Sequence, residues 1–364
     1  MANTFLTVQE IARAALPILH ENLVFPALSY KEFCTGMGKK GDVVQIKKPA
    51  VYSAKEFTSQ INVQDVKENS VLVTLDKIAD VSVELTAKEM ALNLEDFTRQ
   101  VVAPAAVAIA EKINADGLAL YKDIPYTCGT AGEVPSGIAT FASVAKALND
   151  NKAPLTERYC VWDSEALASF QSDSAIVSAD KSGSTKALRN GSIGRLIGLE
   201  NFMSQQVYEH KKGTLTGAMT VSSSAYAGDK QIRIDCTSGT LVRGDILKIG
   251  GNNYVVTENA TASGSVIIAK VYPAVATGGI SAKTAVELID SHTANLAFHK
   301  NAFGFVSRPL EKARGAESYV TSFDGISLRV TFDYDISTKK QTMSVDTLYG
   351  FTTLYPELAV RVLG

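Results

Sequence analysis

The sequence predicts an α+β fold, and three observations carry that reading. One long helical run, Asn93 to Asp123, stands apart from the rest of the chain. Short alternating segments on both sides of it read as paired strands. A stretch from Gly213 to about Ala285 has almost no helical period and many turns, as a small all-β barrel or sandwich does.

The bulk numbers fit such a fold. The chain has 364 residues, 46% of them hydrophobic, so a sizeable core and two or three domains are expected. A net charge of -2 excludes a protein coated in positive charge to grip nucleic acid. Only 20% of residues are charged, which leaves much of the surface to face other protein. Cys34, Cys128, Cys160 and Cys236 are scattered without CxxC spacing, and there are only four histidines. Reduced thiols in a cytoplasm are preferred over a zinc site or a disulfide framework. The N-terminus lacks a basic region followed by an apolar core, so no secretory signal is expected. No apolar run reaches the roughly 18 residues of a membrane span.

In chain order, Thr7 and Glu10 form a capping box ahead of Ile11, Leu16 and Leu19. Pro17 and Pro26 are expected to break this arm into short helical pieces. It has too few contacts to fold alone and would lie across something else. Asp42–Lys47 and Val71–Asp76 read as strands flanking a polar stretch, Ser53 to Ser70, and Val81–Leu85 alternates as a further strand. That is a long two-stranded excursion. An isolated hairpin is marginal in water, so a neighbouring subunit is a natural support. Lys39, Lys40, Lys47 and Lys48 lie at its base, as a solvated face or as contacts to an acidic neighbour.

The long helix has Asn93 as N-cap, Glu95 and Asp96 in its first turn, and Leu94, Phe97, Val101, Ala105, Ile109 and Ile113 on one face. At 1.5 Å per residue it would span roughly 40 Å, with Pro104 kinking or breaking it. A short helix, Phe141 to Leu148, follows; then Arg158–Trp162 reads as a buried strand, with Asp163 or Ser164 capping the helix SEALASF. Ser172 to Gly198 is rich in Ser and Gly. In the β stretch, Gln231–Asp235, Asp245–Ile249, Asn253–Val256 and Ser265–Val271 are strands joined by Ala227-Gly228-Asp229, Arg243-Gly244-Asp245 and Gly250-Gly251-Asn252 turns. A module spliced in this way should have its ends close together. Helix or mixed chemistry is expected after it. Leu328–Asp335 and Gln341–Thr347 then form a hairpin around ISTKK, and Phe351–Val362 ends the chain with mixed apolar residues.

The search for chemistry yields organisation instead. GSIGRLIG, from Gly191 to Gly198, lacks the GxGxxG spacing, and SGSTK, from Ser182, holds P-loop letters in the wrong order. Asp333 and Asp335 would share a strand face, but with no third metal ligand nearby a solvated face is preferred. His292 and His299 read as structural histidines in a packed, strand-like run. No GxSxG is present, and no Cys/His pair has local support as a nucleophile. No enzyme and no cofactor are expected. The Asn259 sequon is idle in a cytoplasmic protein.

This order of elements resembles the tailed-bacteriophage major capsid proteins of the Hong Kong 97-type fold. It looks most like the phage P-22-type coat-protein group, which carries an inserted β domain. The resemblance is most specific in HTANLAFHKNAFGFVSRPLEKARGAE, in SFDGISLRVTFDYDISTKKQTMSVDTLYGFTTLYPELAVRV, and in the opening LTVQEIARAALPILHENLVF. It implies an N-terminal arm (1–38), an extended loop over an adjacent subunit (39–90), and a peripheral domain with the spine helix (91–124). It further implies an axial domain (125–212), the inserted β domain (213–285), a return to the axial domain (286–308), and the peripheral hairpin with a C-terminal strand (309–364). Charged residues of the loop are the expected intersubunit contacts: Lys39, Lys40, Asp42, Lys47, Lys48, Lys55, Glu56, Asp65, Lys67 and Glu68.

The function implied is a coat protein that assembles as hexamers and pentamers into an icosahedral shell. The shell would enclose double-stranded DNA without sequence specificity. Its partners would be itself, a separate scaffolding protein and a portal protein, with no membrane. Assembly would take place in the host bacterial cytoplasm, and the product is the virion capsid. The inserted module looks shorter than in the type member, the chain starts directly with the arm and not with a scaffolding-like pre-domain, and no residue is assigned to the covalent cross-link of some relatives. An encapsulin-type compartment shell and a β-rich carbohydrate-binding or surface module are the alternatives; only Tyr226, Tyr254 and Tyr272 would serve the latter.

Overall fold

The computed structural model describes residues 7–31, 43–47, 70–85, 97–178, 189–336 and 340–364. The chain forms two compact units, Met1–Ile113 with Phe303–Leu354, and Asn114–Ala302 with Tyr355–Gly364.

The first unit is built on a five-stranded antiparallel sheet. Its axis is the strand Lys340–Thr353. One edge pairs with Ile326–Asp335 and then with Phe303–Arg308, and the other with Lys77–Leu85. Glu317–Phe323 lies outermost, beside Ile326–Asp335. Strand alternation sorts the two faces. Ala79, Leu85, Met343, Val345, Leu328, Val330 and Phe332 point into the core, while Asp80, Ser82, Glu84, Thr342, Ser344 and Thr331 make the other face polar.

Two helices close this core. Val8–Asn22 opens with the expected capping box: Thr7 Oγ1 accepts from Glu10 N at 3.3 Å, and Glu10 Oε2 accepts from Thr7 N at 3.2 Å. It buries Val8, Ile11, Leu16 and Leu19 against the sheet, each contributing about 2 kcal/mol. Pro17 does not break it. One missing amide is offset by a packed face that runs past the proline on both sides. Pro26 sits in the first turn of Phe25–Leu28, where it starts a helix and costs no hydrogen bond. The arm therefore lies across its own unit's sheet.

The long helix is described from Phe97. It begins as a π turn, Thr98–Val102, continues as Ala103–Leu118, and tightens to a 3₁₀ turn at Ala119–Asp123. The π turn gives the expected disturbance at Pro104 a definite form. Ala103 N donates five residues back to Thr98 O, and the widened turn precedes the residue that has no amide to give. The capping at Asn93 lies outside the described residues.

Val43–Lys47 and Ser70–Thr74 pair antiparallel from Val43↔Thr74 to Lys47↔Ser70, as the two-stranded excursion requires. Val44, Ile46 and Val73 are buried. At Gly350 an added Cβ would stand 2.3 Å from Thr74 O, so the ribbon's base rests directly on the sheet of its own unit. A neighbouring subunit is not needed to support that part.

The second unit holds a seven-stranded mixed sheet in the order Thr127–Cys128, Ala359–Leu363, His292–His299, Arg158–Trp162, Leu199–Met203, Arg195–Leu196, with Glu209–His210 also pairing to His292–His299. Gly137–Asp150 and Ser164–Ser172 cover it. Asp163 is the N-cap of the latter, accepting from Glu165 N at 3.0 Å and Ala166 N at 3.3 Å. Phe141, Trp162 and Phe170 form the aromatic centre, with centroids 4.6 to 5.5 Å apart.

The β stretch forms its own six-stranded sheet, ordered Val286–Leu288, Ile246–Ile249, Asn252–Val256, Val266–Tyr272, Gln231–Asp235, Thr220–Val221. Ile232, Ile234, Ile267, Ala269 and Val271 point inward by strict alternation. Its ends do meet: His210 pairs with His292, and Lys212 N donates to Ser291 Oγ at 3.1 Å.

The chain after Ala285 is strand, not helix. Val286–Leu288 completes the module's sheet, and His292–His299 is interior to the other. The packed, strand-like reading of the run at His292 and His299 holds, and being buried on both faces the strand shows no alternation. Ala359–Leu363 also departs from expectation. It joins this second unit, between Thr127–Cys128 and His292–His299, and not the hairpin that precedes it in sequence.

Candidate functional site

The expected intersubunit contacts Lys39, Lys40, Asp42, Lys48, Lys55, Glu56, Asp65, Lys67 and Glu68 lie outside the described residues. Lys47 is described in its backbone alone, opposite Ser70. SGSTK is likewise outside them. Among the described residues no group of three or more His, Cys, Asp or Glu could hold a metal, and Asp333 and Asp335 sit exposed on their strand. GSIGRLIG folds as a loop and a tight hairpin, Arg195–Leu196 against Leu199–Met203, with no helix following to receive a phosphate. Burial pushes the Cys128 thiol up to about 12 and raises Cys160 as well, the opposite of an activated nucleophile.

The most concentrated polar chemistry is a buried cluster in the second unit, where the β module meets the seven-stranded sheet. Arg361 is 0% exposed. Its strand, Ala359–Leu363, is buried at every position, so the side chain has no route to solvent. Its two Nη atoms are met by carbonyl oxygens instead, while Nε has no hydrogen-bond partner. Nη1 donates to Gly244 O at 2.8 Å, and Nη2 donates to Tyr121 O at 2.6 Å and Ile124 O at 3.2 Å. The guanidinium also lies 4.9 Å from the centre of the Tyr121 ring. Burial pulls its pKa down to about 10, which leaves it cationic at neutral pH.

Beside it, Tyr121 Oη stands 3.0 Å from His210 Nδ1, and His210 Nε2 stands 2.9 Å from Asp245 Oδ1. Asp245 is 1% exposed and also accepts from Gly213 N at 3.1 Å and Val242 N at 2.7 Å. Its donors satisfy the buried carboxylate, and its charge is of opposite sign to Arg361. His292 Nδ1 donates to Asp290 O at 2.7 Å, so its Nε2 is the acceptor that faces Arg361 Nη1 at 3.5 Å. That arrangement requires a neutral ring, and burial depresses the His292 pKa to about 4.

Tyr, His and Asp in sequence suggest a catalytic relay. Nothing else in the geometry supports one: the three side chains are buried or nearly so, and each polar atom is spent on a structural partner. The cluster ties together the end of the long helix, the module's Arg243-Gly244-Asp245 turn and the strand Ala359–Leu363. His292 and His299 are structural, as read from the sequence, both 3% exposed. Arg361, His210, Asp245 and Tyr121 were not anticipated. Asp245 was read only as a turn residue and the start of a strand. The available signal was one arginine inside the apolar run LAVRVL, a pattern that marks a buried and therefore paired charge.

Comparisons with known proteins locate this molecule. The family model "P22 coat protein - gene protein 5" matches residues 230–364, which include Asp245, His292 and Arg361. The major capsid protein of Acyrthosiphon pisum secondary endosymbiont phage 1 is 24% identical, covering 89% of this chain and 89% of its own. Among solved structures, a chain from Mycobacterium phage Che8 superposes with a TM-score of 0.52 at 18% identity, covering 93% of this chain and 90% of that one. The capsid structure of cyanophage P-SCSP1u gives a TM-score of 0.49 at 13% identity, covering 89% and 84%. Among the described residues no helix is long and apolar enough to cross a membrane. The α+β fold is of the Hong Kong 97 type, and the chain is similar to tailed-phage major capsid proteins, with the P22 coat-protein pattern in residues 230–364.

Proposed function

We propose that this chain builds an icosahedral shell around double-stranded DNA, through hexamers and pentamers of itself and with a separate scaffolding protein. The observation that carries this reading is the match of residues 230–364 to the coat-protein family, because it spans strands from the β module and from both the five- and seven-stranded sheets. Its role is structural and involves no turnover of substrate. Met1–Ile113 with Phe303–Leu354 would supply the arm, the extended loop and the peripheral domain. The other unit would supply the axial domain that carries the β module. The charged loop residues from Lys39 to Glu68 would contact adjacent subunits, a portal protein would occupy one vertex, and assembly would take place in the host cytoplasm before the virion matures.

Physical economy supports a shell held by many modest contacts. Effective concentration within a growing shell multiplies weak affinities, and weak contacts let misplaced subunits leave. Expression with and without the cognate scaffolding protein, followed by electron microscopy, tests the reading. Closed shells, or pentamers and hexamers, are expected; a persistent monomer under both conditions overturns it. Deleting residues 53–70 should leave a soluble chain that no longer closes shells, and normal closure would remove the loop from the assembly surface.

A further inference from the structure

The β module carries a hydrophobic core of its own. Its core, from Val221, Ile232 and Ile234 to Val271 and Val286, shares no residue with the core around Phe141, Trp162 and Phe170. The two chain crossings that tether it, His210–Gly213 and Ile289–His292, lie side by side and form a natural hinge. A cleft of about 410 Å³ opens between its turns at Gly251–Tyr254 and Pro273–Ala276 and the helix end at Ala147–Asn151. The polar bridges between the two bodies are Arg361 to Gly244, Tyr121 to His210, His210 to Asp245, Arg243 to Asp123 at 2.7 Å, and Asn253 Nδ2 to Thr127 Oγ1 at 2.8 Å.

We infer that this cluster is an acid-released latch, in which a proton on His292 drives the imidazolium against Arg361 and unseats the module from its sheet. The surroundings offer the added charge little relief. Around the two imidazoles stand Arg361 on its strand, Tyr121 and Lys122 on the 3₁₀ turn, Tyr208 beside Tyr121, and Asp245 on the module. The Asp290 carboxylate is paired with Lys212, and Asp123 with Arg243. Asp245 faces the cluster from the module and is already held by His210 and backbone amides.

The sign follows from which state holds the proton. In the seated module His292 stays neutral down to about pH 4, whereas a freed imidazole takes its proton near 6.5. Seating is thus at full strength above about pH 6.5 and weakens as pH falls toward 4. Between pH 7.5 and pH 5.0 the opening constant should rise about 30-fold.

Hydrogen exchange of the full chain, with rates corrected for the intrinsic effect of pH, tests this at pH 7.5 and 5.0. Segments 205–214, 240–247 and 288–293 should show the rise of about 30-fold in opening. The module strands Gln231–Asp235 and Val266–Tyr272 should stay within about threefold, as should Ile326–Asp335 of the other unit. His292→Gln, or His292→Asn if glutamine disturbs folding, should flatten the response at the crossings. No rise in the unaltered chain overturns the inference. So does an equal rise in the variant, or a uniform rise across module and crossings, which would report unfolding and not unseating.

Discussion

Arg329 and Arg361 both sit on antiparallel strands, and the chain treats them in opposite ways. Arg329 grips Asp346 with two parallel bonds, Nε to Oδ1 at 2.9 Å and Nη2 to Oδ2 at 2.6 Å, near the polar face of the five-stranded sheet. Its carboxylate partner raises its pKa. Arg361 has no carboxylate in direct contact, binds three backbone carbonyls, keeps one buried Nε–H unmatched, and is held below its usual pKa by burial. The difference concerns what each residue costs to remove. A partly exposed pair loses a modest attraction to water and salt. A buried cation that organises three elements leaves every one of its partners stranded.

The largest expected effect is therefore at Arg361→Met. It strands the carbonyls of Gly244, Tyr121 and Ile124 and leaves Asp245 without balancing charge, at about 3–5 kcal/mol. Calorimetry should show a transition lowered by roughly 10 °C. A loss no greater than that at Arg329 would break the contrast. Asp245→Asn comes next, at about 2–3 kcal/mol, because its amide NH₂ must face a backbone N–H of Gly213 or Val242. Urea titration reads it, and a neutral outcome would mean Arg361 does not depend on that charge. Lowering the pH from 7.5 to 5.0 should weaken the Arg361 cluster by about 2 kcal/mol through His292. The Arg329 pairing contains no histidine and should not follow. Arg329→Met should cost about 1 kcal/mol and lose most of that at high salt, where the parent pair is already screened.

Local patterns in the sequence were legible wherever one turn or one strand decided the outcome. The Thr7–Glu10 box, the strand Arg158–Trp162 with its Asp163 cap, and the alternating strands of the module all formed close to the expected residues. What stayed hidden depended on partners distant in sequence. Pro17 looked like a helix breaker because the sheet that stabilises Leu16 and Leu19 lies some three hundred residues away. His292–His299 read only as a packed, strand-like run, because both its faces are covered and its place inside a sheet depends on distant strands. The cluster was the least legible of all: Tyr121, His210, Asp245 and Arg361 have no spacing in common, and only topology assembles them. The assembly surface expected on the charged loop lies outside the described residues, so it rests on the resemblance and the charge pattern.

The place of Ala359–Leu363 has a consequence for synthesis on the ribosome. It pairs with Ala294–Phe298 from inside the sheet, yet it is made about 60 residues later, roughly 3 to 12 seconds at 5–20 residues per second. During that delay the module's strands are already available to one another, and Arg158–Trp162 can pair one edge of His292–His299. The other edge stays open, with unpaired amides and carbonyls of the kind that recruit foreign strands. In a crowded cell making many copies at once, that interval is when two nascent chains are most exposed to joining wrongly, and a stalled chain would be the most adhesive product of this gene.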